Sequence, residues 1–250
     1  MSAKRSVNVL QHTQSEFLGQ VEDHLEGRGI GFTYVRPFAG GKIPGTAVQS
    51  DGLFLLGGGP WGSVSAPLLP TLSQEIRLTK EYLARKRPVV AFGLGAQILC
   101  LAAGGSASAA NLRFTVGEAR RVDAEALGGH LPERFPYALF MRDRLQPPDG
   151  ARVLAVDEAG DPAVFQIGDK CLGFAGHPGC KPGMIEDLLM EFDDGPEDAA
   201  ATLASLRARQ AALLEALVPI MTGVVKITGL MRPYDENELA RRQVIPIQRG

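Results

Sequence analysis

Ala91-Phe92-Gly93-Leu94-Gly95-Ala96-Gln97 is built like the turn on which α/β hydrolytic enzymes mount a nucleophile. An apolar run from Pro88 to Phe92 reads as a buried strand, a glycine-rich turn follows, and a helix opens near Ala96. Strand, sharp turn and helix expose the central side chain at the top of a sheet. Here the centre is Gly93, which has no side chain. Two other segments belong to the same chemistry. Gly57-Gly58-Gly59-Pro60 follows a second buried strand, Asp51–Leu56, and offers backbone N–H groups of the kind that hold an oxyanion. It lacks the Lys-Ser/Thr of a phosphate-binding loop. His177, in Gly176-His177-Pro178-Gly179, follows a third strand and is the side-chain type that most often serves as general base.

Three cysteines are present. Cys180, three residues after His177, is the alternative thiol; Cys100 and Cys171 read as core. His12 and His24 read as surface or strand-end residues, and His130 as a loop residue without a partner. No His, Cys or carboxylate set shows metal-ligand spacing, so no metal and no cofactor is expected.

The elements that must position these residues follow from periodicity. Val7–Gln11, Gly31–Val35, Asp51–Leu56 and Pro88–Phe92 read as strands, and Ser15–Arg28 and Pro70–Lys86 as amphipathic helices. Leu72, Ile76, Leu78, Thr79 and Leu83 are expected on one side of the second helix. Farther along, Phe114–Val122, Tyr137–Met141, Arg152–Asp157, Pro162–Ile167 and Lys170–Phe174 are strand candidates, with a hairpin turn at Gly168-Asp169. Pro182–Met190 and Ala199–Ile220 read as helices. This alternation predicts an α/β fold with a doubly wound, mostly parallel sheet. Ligands in such sheets sit beyond the C-terminal strand ends, so both glycine turns are expected to face one cleft.

The chain has 250 residues, 45% of them hydrophobic, and a net charge of -2. Nothing basic points to nucleic acid. The apolar runs fall short of the ~20 residues a membrane span needs, so no membrane is expected. No signal-peptide pattern precedes the first strand, and three cysteines make no disulfide framework; both favour the cytoplasm. A break at Asp193-Asp194-Gly195-Pro196 divides residues 1–192 from a C-terminal helical extension and tail, 193–250. In the 199–220 helix, Leu203, Leu206, Leu213, Leu217 and Ile220 form a seam around Gln210. That seam suits packing on its own domain or on a partner helix.

Residues 6–192 resemble the class I (triad-type) glutamine amidotransferase domain, in its stand-alone form. The resemblance rests on Val9-Leu10-Gln11-His12, Asp51-Gly52-Leu53 before Gly57-Gly58-Gly59-Pro60, Gly95-Ala96-Gln97-Ile98-Leu99, and His177-Pro178. It implies a flavodoxin-like topology. It also implies that the nucleophilic cysteine belongs at Gly93, the base at His177 and the orienting acid at Gly179. The oxyanion N–H groups fall at Gly58, Gly59 and Leu94, and Gln97 lies beside bound glutamine. A Trp-His-Gly-Asp motif aligns with Phe140-Met141-Arg142-Asp143. Two triad members are thus absent, and loss of a triad nucleophile costs several orders of magnitude in turnover. The function expected is that of a catalytically degenerate subunit in nitrogen metabolism, binding a partner enzyme, a second copy through the 199–220 helix, or a small amino-acid-like ligand. Alternatives are a hydrolase or transferase using Cys180 with His177 or a bound water, and an amidotransferase silenced by deliberate substitution.

Overall fold

A computed structural model describes residues 4–235. The parallel half of the molecule begins with β1 (Ser6–Leu10), α1 (Val21–Glu26), β2 (Gly31–Val35), β3 (Gly52–Leu55), α2 (Leu72–Ala84), β4 (Val89–Phe92) and α3 (Leu94–Ala102). The middle supplies β5 (Ser106–Ser108), β6 (Arg113–Arg121), β7 (Arg134–Met141), β8 (Arg144–Gln146), β9 (Arg152–Val156) and β10 (Pro162–Ile167). Then come β11 (Cys171–Phe174), α4 (Pro182–Glu191) and α5 (Ala199–Thr228). Nine strands form one sheet in the order β2-β1-β3-β4-β11-β10-β9-β6-β7, and β5 pairs with β8 apart from it.

From β2 to β11 every neighbouring pair is parallel; from β11 to β7 every pair is antiparallel. The expected α/β class is therefore found, with an antiparallel wing grown onto a flavodoxin-like core. The chain steps outward one way from β1 to β2 and the other way from β3 to β4. Right-handed crossovers then place α1 and α2 on opposite faces. β3, β4 and β11 sit in the middle, and every residue in them is buried. That explains their unbroken apolar runs, since both of their faces are covered.

Two helices depart from expectation. The Ser15–Arg28 pattern yields helix only over Val21–Glu26. Gly19 takes φ +60, and nearby backbone groups are spent on distant partners: Leu18 N–H on Tyr34 Oη at 3.0 Å, Gln20 N–H on the Gly179 carbonyl at 3.0 Å. The last helix overruns its expected end and continues through Pro219 to Thr228. It is the one described helix long and apolar enough to cross a membrane, an 18-residue stretch within it having a mean hydropathy of 1.6. Its apolar residues have an intramolecular use. Leu217, Ile220, Met221, Val224 and Val225 join the main core, while Leu203, Leu206 and Leu213 join a second cluster with Phe114, Phe140 and Ile185. Gln210 Nε2 donates to the Cys180 carbonyl at 3.4 Å. The seam offered to a partner is thus used inside the chain; Leu214 and Val218 remain exposed on the outer face.

Candidate functional site

The elbow has the expected backbone. Gly93 joins β4 to α3 at φ +55, ψ −121, a conformation that side chains adopt only with strain of about 1–3 kcal/mol. Its N–H donates to the Phe174 carbonyl at 3.0 Å, and its carbonyl accepts from Ala96 N–H at 2.9 Å. A Cβ at Gly93 would lie 3.4 Å from Gly57 Cα and 3.9 Å from the Phe140 carbonyl oxygen, which is ordinary contact. The turn therefore has room for the first atom of a side chain it does not carry.

The space in front of it is filled. Gly57, Gly58 and Gly59 are buried, as are Leu94 at 1% exposure and Gln97 at 0%. A Cβ at Gly58 would overlap the Leu94 side chain, and one at Gly57 would overlap the Glu16 carboxyl. Glu16 Oε2 accepts the Gly59 N–H, and Glu16 N–H donates to Thr13 Oγ1 at 3.1 Å. One of the candidate oxyanion donors is thus occupied by the protein's own carboxyl group. Burial pushes the Glu16 pKa up to about 7, opposed by the Gly59 N–H and by His12. Glu16 gives no sign of this in the sequence, where an acid beside Phe17-Leu18 carries no distinguishing signal.

His12 reads as a surface or strand-end residue in the sequence; the structure buries it just beyond β1. Its Nδ1 lies 2.8 Å from the Gly57 carbonyl oxygen and its Nε2 2.7 Å from Glu75 Oε2. A carbonyl oxygen on one side and a carboxyl group on the other favour the doubly protonated, cationic ring. Burial pulls the His12 pKa down, but Glu75, the Gly57 carbonyl and Glu16 together raise it above its ordinary value. Glu75 also accepts from Thr71 Oγ1 at 2.6 Å. In a sheet of this order, the crevice between β1 and β3 is where ligands enter. The His12 link to Gly57 closes it.

His177 is buried and fully bonded. Its Nε2 donates to the Phe17 carbonyl at 2.8 Å, and its Nδ1 accepts the Gly179 N–H at 3.1 Å. The ring packs on Phe92 with centroids 4.9 Å apart. Burial drives its pKa down to about 4, so it is neutral, with both nitrogens engaged. Gly179 has its own structural reason: a Cβ there would come within 2.9 Å of both Val21 N and Val21 Cγ2. Cys180 is 2% exposed, and burial pushes its thiol well up, away from the thiolate form. Cys100 and Cys171 are buried core, as read.

Gln97 is held by the protein itself. Its Oε1 accepts from Ser63 Oγ at 2.5 Å and its Nε2 donates to the Arg142 carbonyl at 2.6 Å. Next to it Asp143, at φ +61, gathers the N–H groups of Ser63, Val64 and Ser65 at 2.9, 2.9 and 3.1 Å. Burial opposes its charge, but these donors hold its carboxyl below the usual range. Arg142 bridges to the Pro60 carbonyl at 2.8 Å and to Asp194. The residues aligned with Trp-His-Gly-Asp thus tie down the loop after the first glycine turn. Among the described residues, no three His, Cys, Asp or Glu side chains gather as metal ligands would.

No protein-family model and no curated protein matches the chain. Solved structures do. A glutamine amidotransferase from Thermotoga maritima is 20% identical with a TM-score of 0.76, over 90% of this chain and 99% of that one. A glutamine amidotransferase from Methylobacillus flagellatus is 19% identical with a TM-score of 0.79, over 94% and 98%. A protein from Thermoplasma acidophilum described as a GMP synthase subunit is 18% identical with a TM-score of 0.55, over 84% and 100%. These likenesses show the glutamine amidotransferase-like α/β fold. Residues 1–192 are about three quarters of the chain, so the first two matches reach into α5.

Proposed function

We propose that this protein is an amidotransferase-like subunit that does not hydrolyse glutamine and acts through a partner protein. The observation that carries the reading is the Glu16 carboxyl on the Gly59 N–H, in front of a turn whose central residue is glycine. Glycine forms no thioester. The carboxyl holds one donor that a tetrahedral intermediate would need, and His177 has no ring nitrogen to spare. Removing one oxyanion donor alone costs about 10²–10³ in turnover. A small amino-acid-like ligand is less well supported than a partner, because Leu94, Glu16 and Gln97 fill the space beside the elbow. That a structural neighbour is described as belonging to a synthase is in keeping with work in a complex.

The test is ammonia release from glutamine by the full chain, by Gly93→Cys, and by Gly93→Cys with Glu16→Ala. All three are expected at background, with the single variant forming no acyl-enzyme. Enzyme-like ammonia release by the unmodified chain, or by Gly93→Cys alone, would overturn the reading.

A further inference from the structure

The parallel strands have a second end. Around the residues just before β1, β3, β4 and β11 lies a cavity of about 730 Å³, closed on its sides by the ends of α2 and α5. Six of its lining side chains are cationic: Arg5, Arg85, Lys86, Arg87, Lys170 and Arg232. Two are carboxylates, Asp51 and Asp235. Among the lining side chains the surplus is four positive charges, one of which, Arg85, also pairs with Glu81 of α2 at 3.7 Å.

With that pair set aside as well as both carboxylates, three positive charges remain. Asp51 accepts the Ser6 N–H at 2.8 Å and the Tyr234 hydroxyl, and lies 3.7 Å from Arg5 Nη1. It therefore offsets Arg5. Arg87 Nη1 donates to the carbonyls of Ala47, Val48 and Ser50. Carbonyls hold a guanidinium in place without cancelling its charge.

Cations do collect at helix C-termini, where the backbone carbonyls are partly negative. That accounts for part of the Arg85-Lys86-Arg87 run at the end of α2. It does not account for Lys170, which immediately precedes a strand, nor for the backbone of Lys86. Lys86 takes φ +51, with its N–H on the Leu83 carbonyl at 3.0 Å and the Arg87 N–H on the Tyr82 carbonyl at 2.9 Å. This is the helix ending whose left-handed position glycine normally fills. A lysine there carries backbone strain that a glycine would not.

We propose that this cavity binds a phosphorylated small molecule through a diphosphate group. Its volume falls within the ~300–1,000 Å³ of small-molecule sites. Arg and Lys are the side chains that pair with phosphate oxygens, by forked and by point-charge contacts respectively. A diphosphate is compact and multiply charged, as the clustered surplus requires.

The experiment is calorimetric titration of the full chain with inorganic pyrophosphate and, separately, with ADP, at low and at moderate salt. Saturable binding that weakens with salt is expected. Lys170→Glu is expected to weaken it at least tenfold. Arg134→Glu, an equal charge change on the remote strand β7, is expected to leave it within twofold, both variants keeping the parent's unfolding midpoint. Lys86→Gly serves where Lys170→Glu does not fold. Tighter binding of ADP than of pyrophosphate identifies a nucleotide; equal binding identifies the diphosphate alone; either supports the site. No saturable binding of pyrophosphate or ADP, or equal weakening by Lys170→Glu and Arg134→Glu, would overturn it.

Discussion

The two ends of the parallel sheet are built on opposite plans. Beyond the C-terminal ends, side chains converge and fill the space: Leu94 on Gly58, Glu16 on Gly59, His12 on Gly57, and Gln97 between Ser63 and Arg142. Before the N-terminal ends, cations ring a cavity of about 730 Å³. The rule that ligands enter beyond the C-terminal ends describes where a doubly wound sheet leaves a crevice. It holds only while nothing fills that crevice. Here the glycines that would bare the backbone to a substrate instead admit the protein's own side chains, so substitutions at this end are expected to act on stability. At the other end they are expected to act on binding.

The largest effect should come from restoring the missing acid. In Gly179→Glu, the new Cβ would meet Val21 N and Cγ2 at 2.9 Å, and the backbone atom cannot swing away. Gly179 also holds Gln20 N–H through its carbonyl, so the start of α1 must shift. A loss of about 3 kcal/mol or more is expected, in the range of overpacked cores, read as a fall in the denaturant midpoint. A variant as stable as the parent would mean that the filled end is looser than its contacts indicate.

The next effect separates the buried carboxyl from the buried histidine by pH. The Glu16 pKa is raised from 4.5 to about 7, so the folded state binds more protons than the unfolded one between those values. Its contribution to stability is greatest below pH 4.5 and is lost as pH rises through 7, by about 3 kcal/mol at most. His177 works the other way. Its pKa is lowered from 6.5 to about 4, so its contribution is present above pH 6.5 and is lost on acidification toward 4. In the parent the two slopes largely cancel over the shared range. Glu16→Gln removes one of them. Its stability relative to the parent is expected to rise as pH climbs from 4.5 to 7, and its own stability to fall more steeply than the parent's on acidification. Denaturant unfolding at pH 5, 6, 7 and 8 reads this directly; a pH-independent difference between variant and parent would remove Glu16 from the account.

What the sequence discloses divides along the same line. The strands are legible because β3, β4 and β11 are short apolar runs buried on both faces, and the elbow because a glycine-rich turn between strand and helix has few other uses. What fills the elbow is not legible. Glu16 lies in a stretch whose apolar spacing reads as helix, and only the tertiary claims on Leu18, Gln20 and Gly179 turn that stretch into the loop that carries it. Glu75 does leave a trace. It is a carboxylate on the buried side of α2 with Leu78, Thr79 and Tyr82, displaced around the helix from the side that the leucines and Ile76 suggest. Its partner, His12, is 63 residues away, and no local pattern joins them. The basic cavity is invisible for the same reason, since Arg5, Lys86, Lys170 and Arg232 meet only after the sheet is assembled.

The smallest expected effect is the most discriminating, because it has two signs. Lys86 occupies a left-handed position at φ +51, where a Cβ crowds the following carbonyl at a cost of about 1–2 kcal/mol. Lys86→Gly relieves that strain but gives the unfolded chain more freedom, so the net gain should be about 0.5 kcal/mol. If the lysine served only the end of α2, removing its charge would weaken the helix dipole contact, and the variant would gain little and change nothing else. If it serves the cavity, the same substitution makes the protein slightly more stable while weakening pyrophosphate binding several-fold. Stability gained where function is lost marks a residue kept for a ligand rather than for the fold. Denaturant unfolding and calorimetry on a single preparation give both signs. A variant that gains little stability and keeps its pyrophosphate affinity would return Lys86 to the end of α2.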